Sequence, residues 1–207
     1  MLEALTGSGL AAAAGLNAYI PLVVVGLTSR YTDWITLPAD WRWLENGWVL
    51  LILGVLLAVE VVADKVPVVD HINDVLGTVV RPAAGGLVFG ATADASTLAV
   101  PNPADGQPTW LPLLAGAAIA LVVHGVKATV RPVANVATAG AAAPVVSTGE
   151  DLTSVAMSLV AILVPVLVLL LFVVLAAGAW LLWRRRSRRR RAVRTDRVPA
   201  GRSTPSR

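Results

Sequence analysis

Hydrophobic residues along this chain form long, uninterrupted runs, whereas a strand would show them alternating with polar residues. The main runs cover residues 10–27, 48–63, 83–93, 110–126 and 152–183. A helix needs about 20 apolar residues to cross a bilayer, and continuous runs argue against a transmembrane barrel. The pattern therefore predicts an all-α fold: a polytopic transmembrane helical bundle.

Several of these segments are interrupted by polar residues or proline, or are amphipathic. Asn17 and Pro21 lie near the middle of the first run, which is rich in glycine and alanine and predicts close helix packing. Residues 69–81 place apolar residues on one face and polar residues on the other, which predicts a short amphipathic helix. We expect it to end at Pro82 and either to lie at the interface or to dip into the membrane.

Two later segments also depart from an ordinary span. Residues 128–146 contain Pro132, Gly140 and Pro144, and we expect them to form a broken crossing. The run at 152–183 is longer than the bilayer core, so a tilt or a kink at Pro165 is expected.

A candidate internal repeat is visible in the spacing of lysine and proline. Lys65 lies seventeen residues before Pro82, and Lys127 lies seventeen before Pro144. Many small transporters are built from repeats with broken segments in matching positions.

Composition agrees with a membrane chain: 56% of the 207 residues are hydrophobic and only 14% are charged. Cysteine is absent, which excludes disulfides and thiol catalysis, and two histidines make a histidine-rich zinc site improbable. We find no hydrolase or nucleotide-binding motif. We therefore expect no enzyme activity, no catalytic residues, no cofactor and no bound metal.

The net charge of +4 divides unevenly along the chain. Residues 184–207 hold eleven Arg and one Asp, so the preceding 183 residues carry −6. We expect two parts: a transmembrane helical domain at 1–183 and a disordered, Arg-rich tail at 184–207. Arginines beside a span favour a cytoplasmic tail that binds anionic lipid headgroups, and without interleaved aromatics the tail predicts no nucleic-acid binding. The loop at 94–107 has two acids and no base, so we expect it outside.

Ionisable residues cluster where apolar helices end. Glu60 and Asp64 share one helix face, and His124, Lys127 and Arg131 share another, so an acidic face and a basic face are expected to meet. A charge in lipid is costly and is usually paired and functional. One interpretation is a polar site or ion relay; the other is a set of salt bridges that only fixes packing.

Further polar positions join this candidate site, each with two interpretations. Asp70, His71 and Asp74 suit a hard cation or a proton relay, or else form the wet face of an interfacial helix. Arg81 and Arg131, each followed by proline, suit a phosphate group or else anchor helix ends to headgroups. The full set of candidate site residues is Asn17, Glu60, Asp64, Lys65, Asp70, His71, Asp74, Arg81, His124, Lys127, Arg131, Glu150 and Asp151.

These motifs resemble a bacterial membrane-protein family catalogued as domain of unknown function 4126. The matching motifs are Gly15-Leu-Asn-Ala-Tyr-Ile-Pro21, Glu60-Val-Val-Ala-Asp-Lys-Val-Pro67-Val-Val-Asp-His-Ile-Asn-Asp74, Thr78-Val-Val-Arg-Pro82-Ala-Ala-Gly85, His124-Gly-Val-Lys127 and Pro144-Val-Val-Ser-Thr-Gly-Glu-Asp151. The resemblance covers about residues 5–170 and leaves out the Arg tail. It implies a membrane protein and singles out these polar positions, but it implies no particular chemistry.

Three functional hypotheses follow. The first is a small multi-pass transporter or ion-coupled permease of the bacterial inner membrane, whose acids bind cations or titrate while its bases engage an anionic substrate. The second is a non-catalytic scaffold or assembly factor whose intramembrane charges only lock packing. The third, a lipid-phosphate enzyme using the basic residues, has less support in the sequence.

Overall fold

The computed structural model describes residues 2–65, 67–93, 95–97, 110–138, 143–170 and 172–173. The chain divides into two compact units, Met1–Val168 and Leu169–Arg207, and only a few residues of the second are described. The first unit is helical, which confirms the predicted all-α class. Its helices are α1 (Leu2–Leu16), α2 (Tyr19–Tyr31), a 3-10 helix at Ala39–Glu45, α3 (Gly47–Ala63), α4 (Pro67–Ala93), α5 (Trp110–Ala137) and α6 (Ala143–Leu163).

Three stretches within the described helices are long and apolar enough to cross a membrane. They are Asn73–Ala93, Trp110–Arg131 and Ala143–Leu163, and a fourth arises if Ala39–Glu45 and Gly47–Ala63, bent by 58°, count as one span. These helices also expose apolar surface of the kind that faces lipid, because many leucines and valines of α3, α4, α5 and α6 are exposed. The chain is therefore a helical membrane protein.

The first predicted span is in fact a hairpin of two short helices that turns at Asn17. In α1, Gly7 packs on Phe89 near the C-terminal end of α4. After α2 the chain enters β1 (Ile35–Thr36), which pairs antiparallel with β2 (Ser96–Thr97), just beyond that same end of α4. Both outer ends of the hairpin thus lie together. At 15 and 13 residues, each arm is roughly 20 Å long and too short to cross alone.

Asn17, and not Pro21, causes the break. The Asn17 side-chain oxygen accepts hydrogen bonds from the backbone N–H groups of Tyr19 and Ile20, both at 3.1 Å, and so caps the start of α2. Pro21 lies in the first turn of α2, where a helix needs no backbone N–H.

The helix expected to end at Pro82 instead continues through it to Ala93, so 69–82 and 83–93 belong to α4. A proline inside a membrane helix is tolerated where neighbouring helices pack around it. Here Gly85 lies so close to α5 that a Cβ would be 2.8 Å from the Gly116 carbonyl oxygen. The polar side of the segment is also not interfacial: Arg81 is buried in the bundle while Val75 and Val79 are exposed.

Residues 128–146 do not form a separate crossing. Residues 128–137 extend α5 and 143–146 begin α6, while 139–142 lie outside the described residues. The two Lys–Pro pairs of the candidate repeat also occupy different local structure. Lys65 follows α3 and Lys127 is inside α5, whereas Pro82 is inside α4 and Pro144 starts α6.

The predicted kink at Pro165 is confirmed, because α6 ends at Leu163 and helical backbone resumes at residues 166–170. A Cβ placed on Gly9 would lie 2.7 Å from Ala161 Cβ and 2.8 Å from Val168 Cγ2. Residues seven apart in a straight helix are separated by about 10 Å along its axis, so the chain bends sharply here. The loop at 98–109 and the Arg tail at 184–207 lie outside the described residues.

Candidate functional site

The centre of the candidate site is the Asp64 carboxylate, directly after the last residue of α3. Its Oδ2 atom lies 3.3 Å from Lys127 Nζ and 2.8 Å from Arg131 Nη2, both on α5. Its Oδ1 atom accepts a hydrogen bond from Asn73 Nδ2 on α4 at 2.6 Å. Asp64, Lys127 and Arg131 are all buried. The expected acidic and basic faces therefore meet, but the basic residues are not at a helix end, because α5 continues past Arg131 to Ala137.

Arg81 occupies the next position in the cluster and is fully buried. Its Nη2 donates to Glu60 Oε1 at 3.1 Å, and its Nη1 lies 3.4 Å from Asp74 Oδ1. The interpretation of Arg81 and Arg131 as headgroup anchors is thus wrong, because carboxylates hold both side chains inside the bundle. A buried arginine requires such partners, since desolvating an unpaired charge is costly.

His124 links Arg81 to the polar side of α4. Arg81 Nη1 lies 2.6 Å from His124 Nδ1, and His124 Nε2 lies 3.4 Å from Thr78 Oγ1. Guanidinium nitrogens only donate, so Nδ1 must accept and carries no proton. The remaining proton of the neutral ring is then on Nε2, facing Thr78.

Glu150 brings α6 into the cluster. Its carboxylate accepts from Arg131 through Nε and Nη2, and it lies 3.1 Å from Lys127 Nζ. This bidentate contact between Arg131 and Glu150 is the geometry that arginine and carboxylate groups favour. Lys127 and Arg131 therefore bridge the end of α3 to the first half of α6.

The turn of the α1–α2 hairpin lies against the same cluster. Lys127 Nζ donates to the backbone oxygen of Leu16, the last residue of α1, at 2.7 Å. Asn17 Nδ2 donates to Asp151 Oδ1 at 2.9 Å. The C-terminal carbonyl end of one helix and the capped N-terminal end of the next thus both face this site.

The remaining sequence-predicted residues are placed differently. Lys65 is half-buried and its ammonium donates to the Val61 backbone oxygen at 3.0 Å, with no described ion pair. Asp70 and His71 lie within α4, but their side chains are outside the described residues. Among the described residues no group of acids and histidines has the arrangement of a metal site.

Sequence reasoning missed Asn73 and the Leu16 carbonyl as cluster members. Asn73 belongs to the Glu60–Asp74 motif, so the sequence could have identified its side-chain amide as a member of the cluster. The Leu16 contact had no signal in the sequence, because a backbone oxygen is free only where a helix ends.

Acids outnumber bases in this cluster. The described side chains that meet there include five carboxylates, Glu60, Asp64, Asp74, Glu150 and Asp151, against three cations, Arg81, Lys127 and Arg131. Two polar atoms in it, Glu60 Oε2 and Arg81 Nε, are buried and have no hydrogen-bond partner among the described residues. The buried part of the cluster therefore holds one acceptor and one donor that a bound group could satisfy, while Asp74, Glu150 and Asp151 are only partly buried.

Comparison with known proteins agrees with the resemblance seen in the sequence. No curated protein and no solved structure matches the chain. The family model described as "Domain of unknown function (DUF4126)" matches residues 4–185, beyond the range of about 5–170 expected from the motifs. That match covers the charge cluster, the hairpin from residue 4 onward and helices α3 to α6. The chain belongs to the DUF4126 family.

Proposed function

We propose that this protein is a small membrane transporter in which the charge cluster couples substrate movement to protons or another small monovalent cation. The observation that carries the proposal is the position of the hairpin turn. In many transporters, broken helices present carbonyl ends and N–H ends to a site inside the bilayer. Here the Leu16 carbonyl at the end of α1 faces Lys127, and the Asn17 side chain that caps the start of α2 donates to Asp151.

The charge balance indicates what the site takes up. Glu60 and Asp64 are buried beside three cations, whereas Asp74, Glu150 and Asp151 are only partly buried. The three partly buried carboxylates are therefore the groups placed to take up a proton or a cation. Some carboxylates in the cluster have an uncharged partner. Asp151, for example, accepts from the Asn17 amide and can gain a proton without breaking an ion pair. His124 is different, because its unprotonated Nδ1 already accepts from Arg81 and a proton there would break that contact.

The unpaired atoms indicate where a substrate group would bind. Glu60 Oε2 can accept a hydrogen bond and Arg81 Nε can donate one, but neither has a partner among the described residues. The two side chains are joined instead through Glu60 Oε1 and Arg81 Nη2. An anionic group approaching Arg81 would compete with Glu60 for the guanidinium, and a proton on Glu60 would ease that exchange. This competition is how we propose that ion uptake and substrate binding are coupled.

The second candidate function is a scaffold or assembly factor. It is favoured by the completeness of the ion pairing, since Lys127 and Arg131 each contact both Asp64 and Glu150. Such a network ties α3, α5 and α6 together and needs no substrate to explain it.

The location and partners of the protein follow from the same proposal. We place the protein in a bacterial inner membrane, crossing it several times, with the Arg tail on anionic headgroups at the cytoplasmic face. A small ion and an anionic substrate are its proposed ligands.

A vesicle assay separates the two candidates. The purified full chain is reconstituted into liposomes that enclose a pH-sensitive dye, and an external acid jump is applied with candidate anions outside. A transporter predicts faster acidification than in protein-free liposomes, in a manner dependent on the anion or cation supplied. Rates equal to those of protein-free liposomes under all these conditions would reject the transporter in favour of the scaffold.

A further inference from the structure

Buried hydroxyl groups lie along one face of α6, on both sides of its charge-cluster residues Glu150 and Asp151. Ser147, Ser154 and Ser158 are fully buried, and with Asp151 and Ala161 they recur every three or four residues. That spacing places them on a single helix face. The serines at either end of the row are about 16 Å apart along the helix axis.

This face of α6 packs against α1. Ser154 Oγ donates to the Ala13 backbone oxygen at 3.0 Å, and Asp151 accepts from Asn17. Further along, Gly9 contacts Ala161. The two helices are therefore antiparallel, and α1 presents residues 6, 9, 13 and 17 to the interface because they too share one face.

Hydroxyls near both ends of the interface are unsatisfied. Thr6 Oγ1 and Ser147 Oγ are fully buried and have no hydrogen-bond partner among the described residues. Buried hydroxyls almost always have a partner, from protein or from ordered water. Thr6 lies on the face of α1 that meets α6, and Ser147 lies on the polar face of α6, so each hydroxyl is placed where a bound molecule could satisfy it.

We propose that the α1–α6 interface is a hydrated path that conducts protons between the charge cluster and the end of the bundle where Thr6 lies. The inference rests on the proposed function, for which it names the ion and its route. Ser154 and Ser158 line the route on the cluster side. The close contact of Gly9 with Ala161 and Val168 closes it before Thr6.

The close contact at Gly9 divides the path into two parts. Gly9 separates Ser158, which is on the cluster side, from Thr6, which is on the far side. Opening would need α1 to move away from Ala161 and Val168. The sharp bend at Pro165, just after α6 and between those two contact residues, is a position where the chain can change its direction.

The absence of cysteine makes this path testable with single-cysteine variants of the full chain. We would prepare Ser154→Cys and Ser158→Cys in liposomes, with Thr153→Cys as the matched control on the exposed, lipid-facing side of α6. Silver ion is the probe, since it is a small monovalent cation that binds thiolate. Unmodified cysteine is then counted by maleimide labelling after denaturation.

The path predicts that silver reacts with Ser154→Cys and Ser158→Cys at least about tenfold faster than with Thr153→Cys, because a thiol ionises in water but not in hydrocarbon. Equal, slow reaction at all three positions in folded protein would overturn the path.

Failure of this inference is distinguishable from failure of the proposed function. Proton flux in vesicles together with unreactive cysteines at Ser154 and Ser158 would leave a transporter with another route. Reactive cysteines without any flux would show a hydrated interface that transports nothing, and would overturn the assignment of protons as its cargo.

Discussion

The Arg81 guanidinium and the His124 imidazole are joined by a contact of 2.6 Å between Nη1 and Nδ1, across the interface of α4 and α5. Because arginine cannot accept this hydrogen bond, the contact requires an unprotonated Nδ1. His124 thus enters the cluster as a neutral acceptor beside two carboxylates, Glu60 and Asp74, that hold the same arginine.

The first prediction is the tautomer of His124. In protein labelled with ¹⁵N-histidine at neutral pH, we expect Nδ1 without a proton and Nε2 with one. A His71→Gln variant identifies the signal, since the chain has only two histidines. A proton found on Nδ1 would show that the Arg81 contact is not present in the membrane.

The second prediction concerns the pair formed by Asp64 and Lys127. Either Asp64→Asn or Lys127→Met should lower the free energy of unfolding by about 1.5–3 kcal/mol, because each removes a buried charge-assisted contact, although Glu150 still pairs Lys127 and Arg131 still pairs Asp64. The double variant should cost clearly less than the sum of the two single variants. Denaturant titration in mixed micelles measures all three.

Lys65 is the control for that experiment. It is adjacent to Asp64 but half-buried, and its ammonium contacts a backbone oxygen. We expect Lys65→Met to change the free energy of unfolding by no more than about 0.5 kcal/mol. Strictly additive losses in Asp64→Asn and Lys127→Met, or a Lys65→Met loss as large as either, would contradict the assigned pairing.

The third prediction concerns the contact between α4 and α5. A Cβ on Gly116 would collide with the Gly85 carbonyl oxygen and lie 2.5 Å from Phe89 Cβ. Because backbone cannot move aside as a side chain can, Gly116→Ala should destabilise the fold by about 1–3 kcal/mol. Thermal melts in detergent provide the measurement.

Gly54 offers the matched control, since nothing lies within 4 Å of a Cβ built there. In the middle of α3, Gly54→Ala should be neutral or stabilise the helix by about 0.5–1 kcal/mol. If Gly116→Ala melted like Gly54→Ala, the close approach of α4 and α5 would be refuted.

The fourth prediction concerns the Arg tail. Deleting residues 188–207 should leave the melting temperature of the bundle unchanged, because that composition cannot bury a core. A reporter fused after Arg207 should be active only in its cytoplasmic form, since arginines beside a span are retained inside. Activity of a periplasmic reporter at the same site would reverse the orientation.

The pairing of charges was largely predictable from the sequence. Residues three or four apart share a helix face, so Glu60 with Asp64 and Lys127 with Arg131 formed opposite surfaces that membrane burial would force together. The contact of Asp64 with Lys127 and Arg131 is the result.

The role of Arg81 was not predictable in the same way. Proline normally ends a helix, so Pro82 assigned Arg81 to the end of a separate short helix, either at the interface or dipping into the membrane. The close packing of Gly85 on α5 is a tertiary effect, and it keeps α4 continuous and carries Arg81 into the bundle. The α1–α2 hairpin was not predictable either. An apolar run of spanning length looks like one helix, and the sequence does not show that the chain reverses its direction at Asn17.

The most direct test of the central claim, that the buried charge cluster couples ion movement, is proton flux in vesicles carrying Glu60→Gln. Glutamine keeps the shape of the side chain and a hydrogen bond to Arg81 but removes the charge. Wild type, Glu60→Gln and the control Lys65→Met are compared in the same pH-jump assay, with thermal melts of each. The account predicts that Glu60→Gln remains folded and loses flux, while Lys65→Met retains it. Flux in Glu60→Gln equal to that of the wild type would contradict the account.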